Sequence, residues 1–137
     1  MPNTTHTYET LIVGAGFSGL GAAIKLAQAD VDDIVILERS DRVGGTWRDT
    51  SYPGASCDIP SLLYSYSFAK NPAWSRTYSP AGEICQHIED MADRFDIRRH
   101  IQFGHEVVQR AQIVLHGNAL NSIDTSAWGI YRLAAGR

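Results

Sequence analysis

The stretch LIVGAGFSGLGAAIKL, residues 11 to 26, decides the fold. Its apolar start continues YET, so residues 8 to 13 read as a strand, and FSGLGAAIKLAQA, residues 17 to 29, reads as a helix rich in small residues. Only GAG separates the two. Further out, IVILE at residues 34 to 38 is a second β-branched run, with VDD as the connection before it. Strand, helix and strand within about thirty residues form a βαβ unit, with parallel strands and a right-handed crossover.

Gly14, Ala15, Gly16, Phe17, Ser18 and Gly19 spell GxGxxG directly after the strand and directly into the helix. Gly14 makes the tight turn, Gly16 lets backbone approach a pyrophosphate, and Gly19 lets helix and strand pack closely. The unpaired N–H groups of the first helical turn and the positive end of the helix dipole face the same place. Glu38 ends the second strand nineteen residues past Gly19, where its carboxylate can accept from both hydroxyls of an adenosine ribose and repel a 2′-phosphate. The site so defined takes FAD or NAD in preference to NADP.

Composition bounds the rest. With 137 residues and a hydrophobic fraction of 44%, the chain has room for one ordinary domain with a core and is too apolar for a disordered segment. A net charge of −3 with scattered basic residues gives no footprint for nucleic acid or an anionic membrane. Arg98, Arg99 and His100 read as a helix C-terminal cluster favoured by the dipole. Cys57 and Cys85 make no CxxC and no disulfide framework, which suits a reducing, cytoplasmic setting. The polar N-terminus MPNTTHTYET has no signal-like apolar run, and no stretch is long enough to span a bilayer. His87 and His105 lack partners at metal-ligand spacing, so no metal is expected.

From Asp41 to Ala73 no period is sustained, only turns and short aromatic runs such as LLYSYSF, which suggests a ligand-covering excursion. Ser79 and Pro80 read as N-cap and first residue of an amphipathic helix whose stripe is Ile84, Ile88, Met91, Ala92 and Phe95. HIQFGHEVV, residues 100 to 108, reads as a third short strand or strand pair. In the tail, QIVLHG and AWGIYRLAAGR are candidate strands of a hairpin.

LIVGAGFSGLGAAIKL followed by VILERSDRVGGTWRDTSYPGASCDIPSLLYSYSF resembles the FAD-binding N-terminal segment of the flavin-dependent monooxygenases, which include Baeyer–Villiger monooxygenases and related N- and S-oxygenating enzymes. Amine oxidases share the GxGxxG, the acid and a later glycine pair, but usually follow that pair with arginine, whereas Thr46 and Trp47 stand here. The resemblance implies an α/β, Rossmann-like FAD-binding domain over residues 1–108, with a parallel sheet left incomplete, a long cofactor-covering loop and a following amphipathic helix. Residues 109–137 are then a divergent or truncated tail.

Residue by residue, the resemblance assigns the FAD pyrophosphate to the loop of Gly14, Gly16, Phe17, Ser18 and Gly19, and the ribose to Glu38. Gly44 and Gly45 allow close backbone approach, with Thr46 and Trp47 along the flavin side. Tyr64 covers the flavin region and the backbone of Val107 meets the adenine. Asp58, the one catalytic candidate, approaches flavin and nicotinamide, with Ser56 and Cys57 beside it on the NADP side. Trp47, Tyr52 and Tyr64 would keep the reacting end dry.

The implied activity is an NADPH- and O2-dependent monooxygenation of a small molecule, with no nucleic-acid or membrane partner. Family members are several times longer and carry a second GxGxxG domain for NADPH that is not found in this sequence. The sequence therefore predicts a chain that does not complete catalysis alone, with a sheet edge open to association. A half-site subunit acting with a partner chain and an amine-oxidase-like flavoprotein are the alternatives.

Overall fold

A computed structural model of the protein describes residues 8–107 and, for the backbone, 130–132. The elements in chain order are β1 (Thr10–Val13), α1 (Phe17–Ala27), β2 (Ile34–Glu38), α2 (Thr46–Asp49), α3 (Ala81–Arg94), a 3-10 turn (Arg98–His100), β3 (Ile101–Phe103) and β4 (Ile130–Arg132). The four strands form one sheet in the order β3-β2-β1-β4.

The βαβ reading holds. β1 and β2 pair in parallel, with Thr10 opposite Ile34, Ile12 opposite Ile36 and Val13 opposite Leu37. β3 adds in parallel on the far side of β2, with Ile36 opposite Ile101 and Glu38 opposite Phe103. The third strand expected near residue 100 is therefore present and single, and His105 lies just beyond it. β4 pairs antiparallel with β1, Ile12 opposite Ile130. Of the tail expected over residues 109–137, everything but β4 lies outside the described residues.

Sheet and helices meet in one apolar core. Ile12 and Ile36 from the strands, Leu20 and Ile24 from α1, and Ile84 and Ile88 from α3 are all buried there. Each such side chain contributes roughly 1.5–3 kcal/mol of transfer free energy. The stripe of α3 faces this core as its spacing predicts, and His87 joins it.

Two local readings are corrected. Helix α3 starts at Ala81 with Pro80 as its extended cap residue, one position later than expected. Proline disfavours a helical backbone at the residue before it, and Ser79 turns inward instead. Its hydroxyl lies 2.7 Å from that of Ser61, and its N–H donates to Ser61 Oγ at 2.9 Å. This pair ties the middle of the long loop to the start of α3. The Arg98–His100 cluster occupies a separate turn beyond α3, where Arg98 pairs with Asp93 and Arg99 with Asp32 and Asp96. Its partners are carboxylates, and one of them, Asp93, stands in the last turn of α3 itself. No helix among the described residues is long and apolar enough to cross a membrane.

Candidate functional site

At the C-terminal ends of β1 and β2 a cleft of about 410 Å³ opens between the first turn of α1 and the loop that follows β2. The glycine loop forms one wall. Gly16 caps α1 with no side-chain bond, and the first intrahelical donor is the N–H of Leu20, bonded to the Gly16 carbonyl at 3.0 Å. The N–H groups of Phe17, Ser18 and Gly19 precede it and belong to the unpaired set that every helix start presents. Gly19 has no room for a side chain: a Cβ there would sit 2.0 Å from the Gly14 carbonyl oxygen and 3.4 Å from Ile12 Cγ2. The third glycine thus sets helix against strand.

Ala15 ties three motifs together. Its N–H donates to Glu38 Oε2 at 2.7 Å, and its carbonyl accepts from the Gly44 N–H at 3.0 Å. One residue inside the glycine loop therefore binds the end of β2 and the second glycine pair at once. Gly45, at φ 54°, brings its backbone so close to Gly16 that a Cβ on Gly45 would lie 2.9 Å from Gly16 Cα. Only glycine fits that left-handed, crowded position. After it the chain makes the short helix α2.

α2 lays four side chains along the cleft. Trp47 Nε1–H donates to the Tyr64 hydroxyl at 2.9 Å, and the two rings meet edge to face at 5.5 Å. Phe17 packs against Tyr64 at 5.1 Å, so an aromatic corner closes the end of the cleft where α1 and α2 meet. Arg48 turns the other way and donates to Glu38 Oε1 at 3.1 Å, to the Arg42 carbonyl at 2.7 Å and to Asp49 at 2.8 Å. Gly44 makes space for it, since a Cβ on Gly44 would lie 2.8 Å from Arg48 Cβ. Arg39 completes the chain of charges with a 3.1 Å bond to Asp49.

The Arg48 and Glu38 side chains are only 5% and 4% exposed, so their attraction is little screened. Asp49 foremost, with Glu38 behind it, raises the Arg48 pKa against the opposing effect of burial. Arg48 in turn holds the Asp49 carboxyl below its ordinary value, helped by Arg39.

Gly14, Gly16, Phe17, Ser18, Gly19 and Glu38 all line the cleft. So do Gly45, Thr46, Trp47, Tyr64 and Val107. Ser56, Cys57 and Asp58 do not. Ser56 forms a bridge to Pro80, Cys57 is buried with its N–H on the Ser79 carbonyl at 3.0 Å, and Asp58 is exposed. Tyr52 is 66% exposed and also outside the cleft. Sequence reasoning missed Arg39, Arg48, Asp49, His105 and Glu106, which line it as well. The only signal for Arg48 was its place directly after Thr-Trp in the glycine-pair loop.

A glycine turn from strand to helix, an acid ending the next strand and a cleft between them define a dinucleotide-binding α/β domain. The sequence pattern of the NAD(P)-binding Rossmann-like domain matches residues 12–81, and the chain belongs to that family.

Among curated proteins, the chain is 52% identical over 100 residues to a Baeyer–Villiger monooxygenase of Streptomyces coelicolor, covering 73% of this chain and 19% of that one. It is 36% identical over 132 residues to an FAD-binding monooxygenase of Botryotinia fuckeliana, covering 90% and 25%. Among solved structures, an oxidized steroid monooxygenase bound to NADP superposes with a TM-score of 0.68 at 39% identity, over 72% of this chain and 20% of that one. The chain thus spans about a fifth of the length of the curated Baeyer–Villiger relative, at 19%.

The residues present fit the adenosine and pyrophosphate half of such a dinucleotide. The wall next to the helix start is bare backbone at Gly16 and Gly45, and the buried Glu38 carboxylate stands at the cleft with acceptor capacity on Oε2 beyond its bond to Ala15.

Proposed function

We propose that this chain forms the FAD-binding part of an NADPH- and O2-dependent flavoprotein monooxygenase of the Baeyer–Villiger or N/S-oxygenating kind, with a small-molecule substrate. The observation that carries the reading is Ala15, which binds Glu38 and Gly44 together and so joins the phosphate loop, the ribose acid and the Gly-Gly-Thr-Trp loop around one cleft. Domain limits of 1–108 and a tail of 109–137 follow the span of the resemblance. Two free cysteines favour a reducing, cytoplasmic address.

When bound, FAD would supply the redox and oxygen chemistry. The chain's own part is binding and shielding. The first turn of α1 and the Gly16–Gly45 backbone would receive the pyrophosphate, Glu38 the ribose, and the Val107 backbone the adenine. The aromatic corner of Phe17, Trp47 and Tyr64 would exclude water from the flavin side. Asp58, exposed beside Ser56 and Cys57, would approach the flavin and a nicotinamide from outside the cleft.

Purified chain should take up FAD with a shifted flavin absorption spectrum. No binding at high micromolar FAD would sink the reading. A second reading has the chain contribute this half-site to a partner polypeptide. Co-purification with a second chain that restores NADPH oxidation supports that version, and NADPH oxidation by the monodisperse chain alone refutes it.

A further inference from the structure

Glu38 meets more donors than its motif requires. Its Oε1 accepts from the Ser40 N–H at 2.9 Å and from Arg48 Nη1 at 3.1 Å. Its Oε2 accepts from the Ala15 N–H at 2.7 Å. A carboxylate oxygen has two lone-pair positions. Oε1 is therefore filled, and Oε2 keeps one position free. Arg48 cannot easily swing away, because its guanidinium is also held by the Arg42 carbonyl at 2.7 Å and by both oxygens of Asp49, at 2.8 and 3.1 Å. A ribose whose two hydroxyls both sought Glu38 would find a single acceptor.

We propose that Arg48 is a positioning residue that closes Oε1 of Glu38, so that the carboxylate receives one ribose hydroxyl of the adenosine moiety rather than two. The inference rests on the flavin reading for its ligand and on the charge chain Glu38–Arg48–Asp49–Arg39 for its geometry. It departs from the two-hydroxyl contact that the acid's place at the end of β2 suggests by itself. It also makes the glycine pair a specificity device: Gly45 receives the phosphate loop, and Gly44 admits the arginine that limits the ribose contact.

The test is displacement of FAD from the full chain by ADP, 2′-deoxy-ADP and 3′-deoxy-ADP. In the unsubstituted chain one deoxynucleotide should bind about tenfold or more weakly than ADP, the loss of one hydrogen bond to a charged group, while the other stays within about threefold. In Arg48→Met, Oε1 is released and the second hydroxyl should also count, so that both deoxynucleotides bind more weakly than ADP. Arg48→Lys, which keeps a donor in reach of Oε1, should restore the asymmetry. Equal losses in the unsubstituted chain, or an asymmetry that survives Arg48→Met, would overturn the proposal.

A separate measurement needs no ligand. In a urea-denaturation cycle, Glu38→Gln and Arg48→Met should be non-additive, the double variant losing about tenfold less in its folded-to-unfolded ratio than the product of the single losses. Additive losses overturn the clamp even if FAD binds. Failure of FAD to bind the unsubstituted chain, beside a non-additive cycle, removes the flavin reading and upholds the clamp.

Discussion

Residues 44–49 and residues 51–60 are consecutive parts of one loop, yet the first part turns into the cleft and the second runs along the outside. Gly44, Gly45 and Arg48 find their partners in the βαβ unit, at Ala15, Gly16 and Glu38, and Trp47 finds Tyr64 across the cleft. In the second part the described contacts are chiefly backbone ones, Ala55 and Cys57 pairing with Ala81 and Ser79 around the start of α3. Its polar and aromatic side chains, Tyr52, Ser56 and Asp58 among them, are exposed. Side chains aimed into the cleft and side chains aimed away from it can thus sit a few residues apart, and closeness in sequence says little about which is which.

The largest effect should come from crowding the glycine loop on which the first part rests. In Gly19→Ala the new methyl carbon meets a backbone carbonyl at 2.0 Å, which α1 can escape only by moving off β1. We expect a loss of about 3 kcal/mol or more in urea denaturation, as for severe overpacking, together with loss of FAD uptake. The matched change in the second part, Gly54→Ala, meets nothing within 4 Å but sits at φ 81°. It should cost only the backbone strain of a left-handed residue, about 1–2 kcal/mol, with FAD affinity unchanged. If Gly54→Ala abolishes FAD uptake in a chain that still folds, the contrast between the two parts is wrong.

An intermediate effect is expected where the loop returns to α1. The Tyr66 hydroxyl donates to the Phe17 carbonyl at 2.6 Å, and its ring stacks on Phe17 at 4.2 Å. Burial, with Tyr64 next to it, raises the Tyr66 pKa well above that of a free phenol, so the hydroxyl stays a donor through the ordinary pH range. Tyr66→Phe keeps the stacking and removes only a second hydrogen bond of the Phe17 carbonyl, which stays bonded within α1, so it should cost about 1 kcal/mol and loosen the Phe17 corner of the cleft. Unchanged stability would mean that water replaces the bond without loss.

Much of this arrangement was legible in the sequence because it is local. GxGxxG, the β-branched runs and Glu38 each act through neighbours within one βαβ unit, so spacing alone placed them. The Arg39–Asp49–Arg48–Glu38 chain was not legible, because it depends on two glycine backbones turning α2 so that Arg48 points back at β2. Ser79 was misread for a similar reason: its partner, Ser61, lies eighteen residues away, and no period reports such a contact. His87 was not legible in this respect. It lacked a partner at metal-ligand spacing, but nothing in the spacing said that it would be buried, that Trp74 would lie 5.0 Å from it or that Nε2 would find no partner among the described residues.

His87 gives a smaller, pH-dependent effect that separates the loop's outer reach from the cleft. Burial holds its pKa below the ordinary histidine value, with Asp90 opposing weakly. The unfolded chain therefore takes up the proton first as pH falls. Stability should decline from about pH 6.5 downward, until the lower folded-state pKa is passed. His87→Leu should flatten that part of the profile, read as the difference in urea midpoint between about pH 7.5 and pH 5. The same slope in both proteins would assign the acid sensitivity to another group.

The smallest effect is the most telling for the comparison. Asp58 is exposed, with no side-chain hydrogen bond or ion pair among the described residues, so Asp58→Ala should change stability by less than about 0.5 kcal/mol. If Asp58 serves a nicotinamide alone, FAD affinity should also stay within about twofold, because its carboxylate lines no part of the cleft. Glu38→Ala, the same change at the acid of the first part, removes a buried carboxylate with three donors and should both unfold and unload the chain. Flavin titration of the two variants side by side checks this. An Asp58→Ala chain that folds normally but binds FAD ten times more weakly would place the second part of the loop on the cofactor after all, and would mean that the cleft closes over Asp58 when the dinucleotide enters.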